Sequence, residues 1–459
     1  MNCCRVVTGA LALIGMVVCG YAEETIDEDA LFSDTSMMVD SSTVIDKSMS
    51  EGAVEKTSVS FSGSINSVAD VGFSRDFFDD VNRKEITPSA YVLSELMLDV
   101  RLPKDNKAFG NLELTFDADS AVFNTYLQEL FIDVNIKRQV YFRTGKQVLQ
   151  WGRCYFWNPT DLINIEKKTI EPAIGTREGA YGVKMHVPFG TKYNLYGFVD
   201  MKKMTSVDSM AGSAKGEILL GSTEIGAAVW GKHNREPVFG IDFSTTVFDW
   251  DITGEMSLES GKNITIIKGL EKNEPMLDFL ARVKSGDSTI DMNATVDKKV
   301  VPKICVGISR SFDVLDVKDR VMIISEFFVN KAGIRGDFYD EHDLKETFDS
   351  LGVNSSDSVM AAQLTKLQGR FSNPNEFSQY YLSFFATVNK FIVPEMVLQV
   401  NTIVNFEQHA ALLIGALEYT TLHNLSIGLT LTSALGSDET EYTVSGSALT
   451  ARLNLGVVF

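Results

Sequence analysis

The C-terminal run of this chain alternates without a fault. Leu453, Leu455, Val457 and Phe459 point one way, and Arg452, Asn454, Gly456 and Val458 point the other. A period of two marks a β-strand whose two faces meet different surroundings. A strand of this kind that ends on an aromatic residue is expected to be the closing strand of a membrane barrel. It is not the tail expected of an enzyme.

The same period recurs along the chain. Leu112, Leu114, Phe116 and Ala118 alternate with Asn111, Glu113, Thr115 and Asp117, and Leu130, Ile132, Val134 and Ile136 alternate with Glu129, Phe131, Asp133 and Asn135. Similar runs cover 379–388, 394–406 and 423–433. Although 44% of the residues are hydrophobic, no apolar stretch beyond the extreme N-terminus reaches the roughly 18 residues of a transmembrane helix. A helical membrane protein is therefore excluded. A soluble sandwich also alternates, but it rarely strings so many strands into one series. A barrel in lipid turns its apolar parity outward, fills its inside with polar groups and leaves no open edge. The expected fold is all-β, a single transmembrane antiparallel barrel over 57–459 with roughly 16–18 strands and a lumen. Long connections are expected at 150–176 and 330–376, with a short helix around 356–368.

Before the barrel the sequence changes character. Residues 1–22 carry one charge, Arg5, then an apolar core from Leu11 to Val18 and the small-residue site Gly20-Tyr21-Ala22. They predict a secretion signal cleaved near Ala22. Lipidation of Cys19 is the rival, against which the bulky Val18 argues. Residues 23–56 hold ten Asp and Glu against Lys47 and Lys56, too little apolar surface to offset ordering entropy. A disordered periplasmic leader is expected there, with a plug as the alternative. The net charge of −19 argues against nucleic acid as a partner. Beyond the signal only Cys154 and Cys305 remain. Far apart and without CxxC spacing, they are read as small packing residues with no metal role.

The densest local signal runs from Gly145 to Asn164. Gly145 and Gly152 permit unusual backbone angles or close approach, and Asn158-Pro159-Thr160-Asp161 spells a turn. Trp151, Tyr155, Phe156 and Trp157 crowd the same stretch. The pattern carried by Gly145, Lys146, Gln147, Trp151, Gly152, Asn158, Pro159, Asp161 and Leu162 resembles that of large outer-membrane barrels of Gram-negative and spirochaetal bacteria, the porin-like group that includes alginate-export-like proteins. The resemblance spans about twenty residues. It implies an outer-membrane barrel with this segment at a strand end and carries over no substrate. It also implies that the terminal strand (Leu453, Leu455, Val457, Phe459) is recognised by the barrel-assembly machinery.

Two accounts of 150–168 stay open at this point. One is an inward constriction tuned by Arg153, Asp161, Glu166, Lys167 and Lys168. The other is a structural loop whose aromatics sit at the membrane interface. Glu113, Asp117, Glu129, Asp133 and Arg143 lie on the polar parity, hence inside, and as a set predict weak cation preference. None of the histidines at 186, 233, 342, 409 and 423 has a catalytic context, and no GxSxG or HExxH occurs, so no enzymatic activity and no cofactor are expected. The expected function is passage of small solutes across the outer membrane, with lipid around the wall. A fatty-acid-type transporter and a surface adhesin acting through 330–376 are the alternatives. Oligomeric state leaves no mark in the sequence.

Overall fold

The computed structural model describes residues 57–74, 86–118, 120–164, 179–202, 209–344, 347, 375–421, 424–437, 439–444 and 447–459. The signal (1–22), the leader (23–56), Glu166, Lys167, Lys168 and the helix expected around 356–368 lie outside the described residues.

The first half of the wall is β1 (Ser58–Ser74), β2 (Ile86–Leu102), β3 (Asn106–Asp117), β4 (Val122–Ile136), β5 (Val140–Gln147), β6 (Ala180–Phe189), β7 (Tyr193–Asp200), β8 (Ala211–Leu220) and β9 (Thr223–Lys232). It continues through β10 (Val238–Val247) and β11 (Trp250–Glu259). A separate hairpin, β12 (Thr265–Lys268) and β13 (Asp291–Thr295), follows. The wall resumes with β14 (Val301–Val314), β15 (Val317–Asn330), β16 (Tyr380–Val388), β17 (Met396–Asn405), β18 (Ala410–Thr420), β19 (Leu425–Leu435) and β20 (Ser447–Val458). Eighteen strands form one antiparallel sheet. It closes where β1 pairs with β20, from Ser64↔Val458 to Ser74↔Ser447. The strand number falls at the top of the expected 16–18.

The terminal run takes part in the seal. Phe459 N–H donates to Gly63 O and Gly63 N–H to Phe459 O, both at 2.9 Å, and the Phe459 ring lies 6.2 Å from that of Phe61. Closure satisfies the backbone groups that an open sheet would present to lipid. The outward parity is apolar and bare: Leu130, Ile132, Ile136, Phe239, Ile241, Leu453 and Leu455 are all exposed. A soluble protein rarely exposes a contiguous apolar surface of this extent. Where the period slips, a bulge explains it. The register of β3 against β4 shifts between Asn111 and Leu112, so Gln128 and Glu129 both face the lumen side while Leu127 and Leu130 keep the outer face.

The connections alternate in length. One end of the barrel holds tight turns, including 103–105, 137–139, 221–222, 248–249 and 315–316. Phe248 and Asp249 (φ 48° and 61°), like Leu315 and Asp316 (φ 53° and 59°), are left-handed, as a two-residue hairpin matching the strand twist requires. The other end carries the long connections. The sequence pattern marks two of these, 150–176 and 330–376, and the structure adds a third at 260–300. There the hairpin β12–β13 flanks the helix α1 (Met276–Ser285). Met276, Phe279 and Leu280 are buried with Phe338, Tyr339, Leu344 and Phe377 of the 330–379 connection. The helical spacing of these apolar residues replaces the period of two because they pack against other loops and not against lipid. Met276 N–H donates to His342 O at 2.8 Å, which joins the two connections.

Candidate functional site: an inward segment clamped to the barrel wall

The connection after β5 turns into the barrel. Gly145 starts it with φ 132°. A side chain there would strike Leu130 O and Phe131 Cα, at 2.1 and 2.8 Å from a Cβ. Residues 148–163 then run across the inner faces of β8 to β11 and β14 to β16. The expected turn is present: Asp161 N–H donates to Asn158 O at 3.0 Å. Gly152 lies so close to the wall that a Cβ would sit 2.4 Å from Asn158 Oδ1 and 2.7 Å from Glu255 Oε1.

Beyond its root, five wall carboxylates hold this segment. Arg153 reaches three of them. Its Nε donates to Asp242 of β10 at 2.5 Å, Nη1 to Glu224 of β9 at 2.5 Å and Nη2 to Glu217 of β8 at 2.9 Å. Lys215 of β8 lies 3.0 Å from Asp242 and 3.1 Å from Glu217, and donates to Trp151 O at 2.5 Å. The other two carboxylates bind backbone amides. Glu255 of β11 accepts from the N–H of Arg153, from that of Cys154 at 2.6 Å and from that of Thr160 at 3.0 Å, and from the Thr160 hydroxyl at 2.7 Å. Glu326 of β15 accepts from the N–H groups of Tyr155, Phe156 and Trp157, the last two at 3.0 and 3.1 Å. Successive N–H groups converging on a carboxylate make a backbone anion nest, and both carboxylates are buried. Charge-assisted bonds of this kind are about twice as strong as neutral ones.

The aromatics complete the attachment. Trp157 is buried, stacks on Phe328 at 5.3 Å and donates from Nε1 to Asn375 O at 2.7 Å. Tyr155 and Phe156 pack against Phe385 at 5.2 and 5.7 Å. Trp151 is buried with Leu162, Phe198 and Trp230. Trp151 and Trp157 thus lie inside the barrel, away from the membrane interface. Pro159 sits in the turn, Asp161 is buried beside it, and Arg153 faces the wall acids.

The rest of the wall keeps a polar inner face. Asp133 pairs with Arg143 through two bonds of 2.6 and 2.8 Å, and the guanidinium lies 3.8 Å over the Phe131 ring. Asp70 pairs with Arg452 at 2.7 Å and Asp99 with Lys107 at 2.8 Å. Glu129 Oε1 accepts from Val148 N–H at 2.7 Å, at the root of the inward segment. His186 lies on the inner parity, stacked on Tyr196 at 4.5 Å and 3.0 Å from Asn194 Oδ1. Glu95 stands directly opposite Glu113 across β2 and β3, and neither forms an ion pair among the described residues. Like charges in register weaken a sheet, so this pair is not there for stability. Sequence reasoning missed Glu95, Glu217, Glu224, Asp242, Glu255 and Glu326. Their one signal was inward parity next to small residues: Gly226 opposes Asp242 and Gly307 opposes Glu326.

Above the segment, Glu441 ties three long-end connections together. It accepts from Asn405 Nδ2 at 2.9 Å, from the Tyr381 hydroxyl at 3.1 Å and from Asn375 N–H at 3.4 Å. Burial dominates these contacts and raises its pKa to about 7. A carboxyl raised from the ordinary 4.5 contributes stability that is whole below that value and is lost as pH rises through about 7. At 1.36 kcal/mol per unit the loss is on the order of 3 kcal/mol. Hydrogen exchange around Ser378, Thr440 and Glu441, corrected for intrinsic rates, should therefore be faster at pH 8 than at pH 6. Glu441→Gln should remove the difference; a wild type with equal protection at both pH values would contradict the coupling.

No family profile and no curated protein matches the sequence. Solved structures do share the fold. OccK2 (OpdF) of Pseudomonas aeruginosa superposes with a TM-score of 0.51 at 8% identity, over 87% of this chain and 97% of that one. The same protein in complex with glucuronate gives 0.50 at 8%, over 87% and 98%. OccAB4 of Acinetobacter baumannii gives 0.50 at 6%, over 88% and 99%. At these identities the likeness is one of architecture, and it defines the class as a closed, 18-stranded antiparallel β-barrel.

Proposed function

We propose that this chain is an outer-membrane, porin-like channel for small solutes, narrowed by the inward segment 148–163 and weakly cation-preferring. The observation that carries this reading is the polar inner parity of a closed wall, partly covered by a segment clamped to it. Its neighbour by fold, OccK2, is solved in complex with glucuronate, a small solute, which supports a small-solute channel. The motif likeness of 145–162 to alginate-export-like barrels supports the same class. By the usual rule for such barrels the tight-turn end faces the periplasm and the long connections face outward. The outward parity meets lipid, and the terminal strand Leu453–Phe459 serves as the signal for the barrel-assembly machinery.

Charge on the uncovered wall supports the cation preference. Arg143, Lys107 and Arg452 are each matched by an acid, and the two carboxylates Glu95 and Glu113 outnumber Lys184, an inward cation of β6 that forms no ion pair among the described residues. Carboxylates lining a water-filled path favour cations. Reconstituted in planar bilayers, the refolded chain should give discrete conductance steps and a reversal potential on the cation side in a salt gradient. The double variant Glu95→Gln with Glu113→Gln should move that potential toward zero. Silent bilayers would overturn the channel, and anion preference in the wild type would overturn the charge argument alone.

A further inference from the structure

The clamp brings together the two cysteines of the barrel. Cys154 lies on the inward segment and Cys305 on the inner face of β14, where Cys305 is in register with Glu255 and Phe328. Both thiols are free and buried. Their sulfurs and a carboxylate oxygen of Glu326 all lie within 4.8 Å of one another. We propose that Cys154 and Cys305 are joined by a disulfide that fastens the inward segment covalently to the barrel wall.

The geometry favours this pairing over two other uses of the thiols. As hydrogen-bonding groups they contribute little: Cys154 Sγ is 3.6 Å from Thr253 Oγ1 and Cys305 Sγ is 3.7 Å from Glu326 Oε2. As metal ligands they lack a complete set. A closed structural zinc site uses four donors, whereas the third group here, Glu326, already accepts from three backbone N–H groups of residues 155–157. The buried sulfurs also lie in an apolar cluster with Trp157, Phe328 and Tyr381, where an S–S bond packs well and an ion is poorly solvated.

The inference rests on the proposed placement in the envelope, an oxidising compartment where disulfides persist. The oxidant is a disulfide of the thiol–disulfide oxidoreductase class. One cysteine thiolate attacks a sulfur of that disulfide and releases its other sulfur as a thiolate. The second cysteine thiolate then attacks the mixed disulfide. The S154–S305 bond forms, the donor disulfide is reduced to a dithiol by the two electrons, and the two thiol protons pass to the donor and solvent. The exchange must precede burial, while the segment is still accessible.

The test uses the full chain from isolated outer membranes. Acid-quenched protein is denatured and treated with a polyethylene-glycol maleimide, with or without prior reduction. The expected result is no labelled species without reductant and a doubly labelled one after it. Double labelling without reductant in the outer-membrane fraction would overturn the disulfide. If the chain does not fractionate with outer membranes, the placement fails, and that result is separate from the thiol count. A second readout keeps function in view. Reductant should increase open-channel flicker of the wild type and leave a Cys154→Ser, Cys305→Ser variant unchanged; equal responses would also overturn the proposal.

Discussion

Replacing Arg153 by alanine should destabilise the barrel by about 3–5 kcal/mol, the usual effect of removing one member of a buried ionic cluster. The guanidinium bonds Asp242, Glu224 and Glu217 at once, and Asp242 has no exposed surface. Without Arg153, Lys215 is left to face three carboxylates. Lysine at 153 should rescue only in part, because a single ammonium cannot present a planar fork to three acids. The thermal midpoint in detergent should fall clearly in Arg153→Ala and less in Arg153→Lys, and the reversal potential should move further toward cation selectivity. An Arg153→Ala channel with an unchanged midpoint and an unchanged potential would mean that the guanidinium is not seated in the wall.

The second large effect belongs to Glu326. Alanine there strands the backbone N–H groups of Tyr155, Phe156 and Trp157, which have a single shared acceptor. Each unsatisfied group costs on the order of 1–3 kcal/mol, so a total of roughly 3 kcal/mol or more is expected. Much of that cost is relieved if residues 154–157 leave the wall. Single channels of Glu326→Ala should therefore show strong flicker and several sub-conductance levels. Protection of the 155–157 amides from exchange should collapse, while that of the β-strands persists. Quiet channels with wild-type steps would exclude a clamp at this residue.

The contrast between these residues and the wall shows what sequence can convey. A strand between lipid and water writes its environment into every second position, so runs such as 130–136 and 453–459 disclose both parity and fold. The segment from Gly145 to Asp161 stands out because glycine, proline and four aromatics are dense there. The carboxylates that hold it do not stand out. Glu217, Glu224, Asp242, Glu255 and Glu326 each sit alone on a strand, where a clamp residue and a solvated lumen acid look the same. Their partners lie from 64 to 171 residues away, a separation that local pattern cannot bridge. The same holds for Cys154 and Cys305, which are unremarkable as sequence and adjacent in space. The helix Met276–Ser285 was hidden for another reason: its apolar face packs against loops, so the period of two that identifies the wall is absent.

The seal between the first and last wall strands has a consequence for how the molecule is made. Asp70 and Arg452 meet across it although they stand 382 positions apart in the chain, and residue 459 supplies its final pair of backbone bonds. No product that lacks β20 can complete the cylinder. Until β20 has been made, two ragged margins and a greasy exterior need shelter from water and from each other, and pairings this remote form slowly. Escort between the ribosome and the bilayer is thus a demand of the topology itself.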